Sequence, residues 1–103
     1  MAVYVDDMRE PVGRMVMCHM VGDTEAELHE MADRIGVSRQ WYQYPKKSRW
    51  PHYDIALSKR ALAVEAGAQE ITLREAPAIA RRCRDPALAP QLERLFLPPS
   101  YPS

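Results

Sequence analysis

The residues best suited to chemistry lie in the middle of the sequence, where His52 and Asp54 are separated by Tyr53. In an extended segment, side chains two positions apart point to the same side. A histidine and a carboxylate at this spacing suit a pair in which the carboxylate orients the ring, or in which both share a metal or a proton. We therefore predict His52, Asp54 and Tyr53 as catalytic residues, with His52 as general acid or base and Tyr53 as a hydrogen-bond donor.

A second group of polar residues near the N-terminus could join that pair. Asp6 and Asp7 follow a short apolar run that predicts a strand, and His19 falls within the next apolar run. Carboxylate and imidazole ligands fit Mg²⁺, Mn²⁺ or Zn²⁺, so we predict Asp6, Asp7 and His19 as metal ligands. The alternative is that the aspartates cap turns, that His19 is a hydrogen-bonded core histidine, and that His52 and Asp54 form a loop pair. No HExxH, HxH or P-loop motif decides between the two.

Three consecutive polar residues, Ser58, Lys59 and Arg60, begin a predicted helix, with Ser58 as its N-cap. Two cations in the first turn oppose the positive end of the helix dipole, and a bound anion would reverse that cost. We therefore predict that these three residues bind phosphate. In the alternative, the cations extend into water or pair with Asp54 or Glu65.

The segment before His52 combines aromatic rings with positive charge. Bases stack on such rings while cations hold phosphates, which suits a nucleotide or single-stranded nucleic acid. In the alternative, the aromatic residues belong to the core of a strand and the lysines keep a loop soluble. The predicted base-stacking or nucleic-acid-binding residues are Trp41, Tyr44, Lys46, Lys47, Arg49 and Trp50.

Composition excludes several classes of protein. Lys and Arg together number 14, as do Asp and Glu, so the net charge is zero and any nucleic-acid binding must come from a local patch. Cys18 and Cys83 lack CxxC spacing and indicate neither a disulfide framework nor a structural zinc site. Cys18 has no activating neighbour on its own face, which makes a cysteine nucleophile a poor hypothesis. The N-terminus lacks signal-peptide features and no apolar run reaches the roughly 18 residues of a membrane span. We expect a cytoplasmic protein without a membrane partner.

Hydrophobic periodicity predicts an α/β fold. Residues 9–13, with Pro11 and Gly13, are predicted as a turn or loop. Residues 15–21 are apolar on both alternating faces and are predicted to lie centrally in the sheet. The order ββαβαβα indicates a small mixed sheet of about four strands with two or three helices. The predicted elements are strands 2–5 and 15–21, helix 24–35, strand 39–44, helix 58–66, strand 69–74 with Ile71 and Leu73 inward, and helix 78–84 with Pro77 at its start.

The helix over residues 24–35 has the clearest signals. Thr24 and Glu27 are spaced as a capping box, and Gly36 suits the position that ends a helix. Its predicted buried stripe is Leu28, Met31, Ala32 and Ile35.

The length of 103 residues suits a single domain. We predict one α/β domain over residues 1–84 and a proline-rich C-terminal segment over residues 85–103. Residues 91–97 predict a short amphipathic helix at most. Its leucines would dock on the domain or on a partner, which could be a second copy of the chain.

Several short motifs occur in the same order as in the family catalogued as domain of unknown function 4031, which the chain resembles over residues 2–75. This resemblance implies a small protein of a kind found in bacteria and their phages, and it implies no particular activity. The motifs are Tyr4-Val5-Asp6-Asp7, Cys18-His19, Glu27-Leu28-His29, the region of Trp41, His52-Tyr53-Asp54, Ser58-Lys59-Arg60, Ala66-Gly67-Ala68 and Arg74-Glu75.

Two functional hypotheses follow. The first is a protein that binds or hydrolyses a phosphorylated ligand, such as a nucleotide or a nucleic-acid end, with or without a divalent metal. The second is a non-catalytic module that binds nucleic acid or another protein.

Overall fold

The computed structural model describes residues 2–84, and this part of the chain contains a mixed five-stranded sheet and three α-helices. The predicted α/β class is therefore confirmed. A short 3₁₀ helix spans Arg39–Trp41. The elements are β1 Val3–Val5, β2 Glu10–Val12, β3 Met15–Gly22, α1 Glu25–Ile35, β4 Tyr53–Ala56, α2 Leu57–Glu65, β5 Gln69–Glu70 and α3 Ala76–Arg84.

Strand β3 lies at the centre of the sheet, as its two-sided apolar pattern predicts. Met20 is paired with Val5 of β1 and with Tyr53 of β4, so these two strands occupy opposite edges of β3. Met17 is likewise paired with both β2 and β4. Strands β1 and β2 therefore follow one another along a single edge of β3, and β5 extends the sheet beyond β1 in parallel.

Helix α1 begins and ends as predicted. Thr24 is its N-cap and accepts a hydrogen bond from the backbone N–H of Glu27, and Gly36 ends it in the left-handed region at φ 77°. That φ favours glycine, which lacks the Cβ that makes this conformation costly. The four residues of the predicted stripe are all buried.

The prediction of a loop over residues 9–13 is wrong, because Glu10–Val12 forms strand β2. Proline has no backbone N–H to donate to a neighbouring strand. Pro11 is tolerated because β2 pairs with β3 along one edge, and the nitrogen of Pro11 can face the opposite edge. All three residues of β2 are exposed, which left no apolar alternation in the sequence to indicate a strand.

The third strand was predicted over residues 39–44, and that position is wrong. Ser38 caps the 3₁₀ helix Arg39–Trp41, and Tyr42 forms only an isolated bridge with Tyr53. The strand that pairs with β3 is β4, in which Tyr53 and Ile55 are buried. Aromatic residues in 39–44 contact the edge of β4 without continuing its ladder, which explains the misleading pattern.

Three smaller boundaries also differ from prediction. The N-cap of α2 is Ala56 rather than Ser58, and no side chain caps this helix. Strand β5 ends at Glu70, and Leu73 is 44% exposed because residues 71–75 turn instead of continuing the ladder. The carboxylates of Asp7 and Glu75 accept the backbone N–H groups of this turn. Helix α3 begins at Ala76, one residue before Pro77.

The helices cover the two faces of the sheet unequally. Helices α1 and α2 pack with the core residues of the first face, among them Cys18, Met20 and Tyr53. On the second face Val21 packs against Ile79 and Ala80 of α3. Within residues 2–84, no helix has the length and apolar character needed to cross a membrane. The predicted helix over 91–97 and its leucines lie outside the described residues.

Candidate metal centre

The register of two strands brings the candidate residues together on the second face of the sheet. His19 of β3 is directly opposite Asp54 of β4, and opposite residues of an antiparallel pair project to the same face. His52 precedes Asp54 by two positions in an extended segment and projects to that face as well. Neither α1 nor α2 covers this face, so the three side chains remain partly accessible.

These three side chains converge. The Nε2 atom of His52 lies 3.3 Å from Oδ1 of Asp54, and Nε2 of His19 lies 3.9 Å from the same oxygen. One potential ligand atom from each residue lies within 4.8 Å of the others. The two rings meet edge to face with centroids 5.0 Å apart.

A buried carboxylate fixes the ring of His19. Strand β1 ends at Val5, and in the bulge that follows, Asp6 still donates its backbone N–H to the carbonyl of His19. In the opposite direction, the backbone N–H of His19 donates to the carboxylate of Asp6 rather than to its carbonyl, with 2.9 Å between nitrogen and Oδ1. The other carboxylate oxygen, Oδ2, lies 2.7 Å from Nδ1 of the His19 ring. The displaced carbonyl of Asp6 accepts a hydrogen bond from Nε of Arg60. Asp6 is completely buried, so this arrangement is part of the fold.

The ring of His52 is held in a similar way by the backbone. Its Nδ1 lies 2.9 Å from the carbonyl oxygen of Trp50. A carbonyl oxygen can only accept, so Nδ1 of His52 carries a proton, and in the neutral ring Nε2 keeps its lone pair. The ionised carboxylate of Asp6 imposes the same tautomer on neutral His19. When both rings are neutral, their two Nε2 lone pairs are therefore available beside Asp54.

The contact between Asp6 and His19 shifts the pKa of both groups. The hydrogen bond from Asp6 raises the pKa of His19 against the opposing effect of burial. For Asp6, burial acts to raise the pKa, but the hydrogen bonds from the ring and backbone of His19 outweigh it and the pKa is lowered. The pair is thus most strongly attractive when the carboxylate is ionised and the ring is protonated.

This coupling predicts a pH-dependent stability of the metal-free protein. The contribution of His19 is complete below its unfolded pKa near 6.5 and is lost as pH rises through the higher folded value. The contribution of Asp6 is present above about 3.8 and is lost as pH falls through its lowered value. With a chelator present to keep the protein free of metal, we expect His19→Gln to lower the free energy of unfolding more at pH 5 than at pH 8, as measured by urea denaturation. An equal loss at both pH values would contradict the coupling.

The donor set fits a divalent transition metal. Two imidazole nitrogens and one carboxylate oxygen suit Zn²⁺ or Mn²⁺ better than Mg²⁺, which prefers oxygen ligands. Ligand atoms about 2.1 Å from an ion lie roughly 3 to 3.5 Å apart in tetrahedral geometry, so small side-chain rotations would complete the site. Histidine ligands usually donate their second N–H to a carboxylate or carbonyl, as His19 and His52 do here.

A small apolar pocket adjoins the three residues. It has a volume of about 90 Å³, and its walls include His19, His52, Trp50 and residues of α3 such as Pro77 and Ala80. Apolar walls exclude water from one side of the cluster and strengthen electrostatic interactions there. Nothing in the spacing of α3 in the sequence indicated that this helix would line the site.

Two other predicted residues lie away from the cluster. Oδ1 of Asp7 accepts the backbone N–H of Leu73 at 2.7 Å. Tyr53 is fully buried on the first face of the sheet, where its hydroxyl lies 2.6 Å from Nδ1 of His29. Alternation along β4 separates Tyr53 from its neighbours His52 and Asp54, which project to the second face.

The predicted phosphate-binding residues are divided between two environments. Arg60 binds the carbonyl of Asp6 and the carboxylate of Glu70, so its guanidinium supports the bulge that carries Asp6. Ser58 is exposed at the second position of α2. Ser58 and Lys59 line a groove of about 260 Å³ that also includes Asp54 and Trp41.

The predicted base-stacking residues lie in two places. Trp41, 36% exposed, borders the groove just described. Trp50 lies beside the apolar pocket, and the guanidinium groups of Arg81 and Arg84 lie 4.9 and 4.3 Å from its ring centroid. The remaining four residues surround a second groove of about 430 Å³: Tyr44, Lys46, Lys47 and Arg49.

Comparison with known proteins gives one match. The family model described as "Protein of unknown function (DUF4031)" matches residues 3–83, which include every residue of the cluster and its supports. No curated protein and no solved structure gives a significant match.

Proposed function

The chain belongs to the DUF4031 family of proteins of unknown function, and from the chemistry of its own residues we propose that it is a divalent-metal-dependent phosphoesterase. The observation that carries this proposal is the convergence of His19, His52 and Asp54, with the second nitrogen of each ring held by an acceptor. Such preorganisation fixes the direction of both nitrogen lone pairs, which a merely structural histidine pair does not need.

Three protein ligands leave at least one position open to water and substrate, the arrangement typical of catalytic zinc sites. A metal bound there would lower the pKa of water and polarise a phosphoryl oxygen. The cluster is partly exposed, so a substrate can approach it from solvent. Cys18 is buried, and burial raises its pKa to about 11, so the thiol is a poor competing nucleophile.

Positive charge near the site supports a phosphate substrate. Arg81 and Arg84 are held over the ring of Trp50, whose side chain also borders the apolar pocket with His19 and His52. Guanidinium donors are well matched to phosphate oxygens. In the proposed reaction, water oxygen bonds to phosphorus, the ester P–O bond breaks, and the proton lost by water is gained by the leaving oxygen.

The decisive experiment is hydrolysis of two chromogenic substrates, p-nitrophenyl phosphate and bis(p-nitrophenyl) phosphate, by protein freed of metal and then supplied with Zn²⁺, Mn²⁺ or Mg²⁺. We expect release of p-nitrophenol with Zn²⁺ or Mn²⁺, its loss on chelation, and a rate at least about 100-fold lower in Asp54→Asn, since this change removes a ligand. Asp33→Asn, an exposed carboxylate on α1 paired with Arg39, is the matched control and should retain activity.

Protein that binds metal but hydrolyses neither substrate would overturn the phosphoesterase assignment. Equal rates in Asp54→Asn and the wild type would overturn the site itself.

A further inference from the structure

The cations of this neutral chain are distributed unevenly. Arg34, Arg39, Arg60 and Arg82 each pair with a carboxylate. Nine other cations of residues 2–84 have no carboxylate at ion-pairing distance. Five of these nine border or adjoin one groove: Lys46, Lys47, Arg49, Arg81 and Arg84. We call the space lined by Tyr44, Lys46, Lys47, Arg49 and Arg84 the loop groove. Its volume is about 430 Å³, and among residues 2–84 no acidic side chain lines it.

The loop groove is connected to the metal ligands through Trp50. Arg84 donates a hydrogen bond to the carbonyl of Arg49 and lies over the ring of Trp50, which fixes α3 against the loop. Trp50 in turn accepts a hydrogen bond from His52 through its carbonyl and borders the apolar pocket. Positive charge therefore continues from the loop to the edge of the cluster.

A second groove adjoins the cluster at Asp54. This groove, which we call the Trp41 groove, has a volume of about 260 Å³, and Asp54 of the metal cluster also lines it. Its apolar wall includes Trp41 and Met15, which are 36% and 42% exposed, and its polar wall includes Ser58 and Lys59. An exposed indole and thioether beside a cation suit a nucleobase with its attached phosphate.

The chain from residue 44 to residue 59 passes each of these parts in turn. Residues 44–49 line the loop groove, Trp50 and His52 the pocket, Asp54 the cluster, and Ser58 and Lys59 the Trp41 groove. A ligand that spans all of them must be long, polyanionic and able to present an unpaired base.

We propose that the substrate of the metal centre is single-stranded nucleic acid, with its backbone in the loop groove and a base against Trp41. This inference rests on the proposed function for its chemistry, but the binding surface is separate from the metal ligands. A duplex hides the faces of its bases, so it cannot use Trp41 in this way.

Binding is tested without metal, so that its failure is distinct from failure of the catalytic proposal. The probes are fluorescein-labelled single strands of about ten nucleotides, within the range one small domain covers, in DNA and RNA form. Fluorescence anisotropy in EDTA should detect binding. The logarithm of the association constant should fall with the logarithm of the salt concentration at a slope of roughly −2 to −3.5, as expected for three to five phosphate contacts.

Two variants and one control separate the grooves. Lys46→Ala/Lys47→Ala/Arg49→Ala should weaken binding at least tenfold and flatten the salt slope by about 2, since each lost contact reduces it by roughly 0.7. Trp41→Ala should weaken binding about fivefold or more with little change of slope. Arg9→Ala/Arg14→Ala/Arg34→Ala removes the same charge from exposed positions elsewhere and should bind as the wild type does.

The inference is overturned if the wild type binds no single strand at low salt, if the control triple variant weakens binding as much as the loop variant, or if a duplex of the same length binds equally well. AMP that displaces the labelled strand as well as an unlabelled strand does, at the same total concentration of phosphate groups, would also overturn the two-groove arrangement. Strand binding by the wild type without hydrolysis would retain this inference while rejecting the phosphoesterase.

Discussion

Loss of metal binding by more than about 100-fold is the expected result of replacing His52 with alanine or Asp54 with asparagine, because changes to residues that only support ligands already cost 10- to 100-fold. The Oδ1 atom of Asp54 lies within 3.9 Å of the Nε2 atoms of both histidines, so each variant removes one of three potential ligand atoms that lie close together. Competition for Zn²⁺ against a chromophoric chelator measures the affinity directly. Saturating Zn²⁺ should also raise the melting temperature of the wild type and leave that of both variants unchanged, since a ligand that binds only the native state stabilises it.

The chain provides a matched control for the histidine variant. His29 is the remaining one of three histidines, and its Nδ1 contacts the hydroxyl of Tyr53 on the opposite face of the sheet. His29→Gln should retain the affinity for Zn²⁺ even if it melts at a lower temperature. A similar loss of affinity in this variant would mean that the ion binds elsewhere.

Asp6→Asn should weaken Zn²⁺ binding about 10- to 100-fold although Asp6 contributes no ligand atom. The amide oxygen of asparagine can still accept the two backbone N–H groups, of Met8 and His19, that Oδ1 accepts in the wild type. Its NH₂ group then replaces Oδ2 and points a donor at Nδ1 of His19. To accept that hydrogen bond the ring must move its proton to Nε2, the atom that would bind the metal.

The same substitution should destabilise the metal-free protein by about 1–3 kcal/mol, because a buried charge-assisted hydrogen bond is lost. Asp7→Asn is the matched control: its carboxylate accepts the backbone N–H of Leu73 and contacts no residue of the cluster among residues 2–84, so Zn²⁺ affinity should be unchanged. ¹⁵N NMR of the imidazole nitrogens reports the tautomer of His19 directly, and a purely structural role of Asp6 would leave the proton on Nδ1. Unchanged Zn²⁺ affinity in Asp6→Asn would contradict a positioning role.

Much of the fold was predictable because the signals are local. The capping box, stripe and terminal glycine of α1 each depend on residues within four positions of one another, and all three are observed. The apolar run of β3 indicated a strand covered on both sides whatever its partners were. Strand β2 and the position of β4 were missed because an exposed edge strand and a four-residue strand have little apolar periodicity of their own.

For the candidate site, the spacing of His52 and Asp54 was enough to predict that they project together, since side chains two positions apart in an extended segment point the same way. That His19 faces them could not be predicted, because the register of β3 against β4 depends on packing across the sheet. The tertiary structure also made Asp6 a support for His19 rather than a member of the ligand cluster, through a bulge in which the carboxylate replaces a backbone carbonyl. Such contacts join residues distant in sequence, and their geometry follows from burial and hydrogen-bond satisfaction over the whole domain.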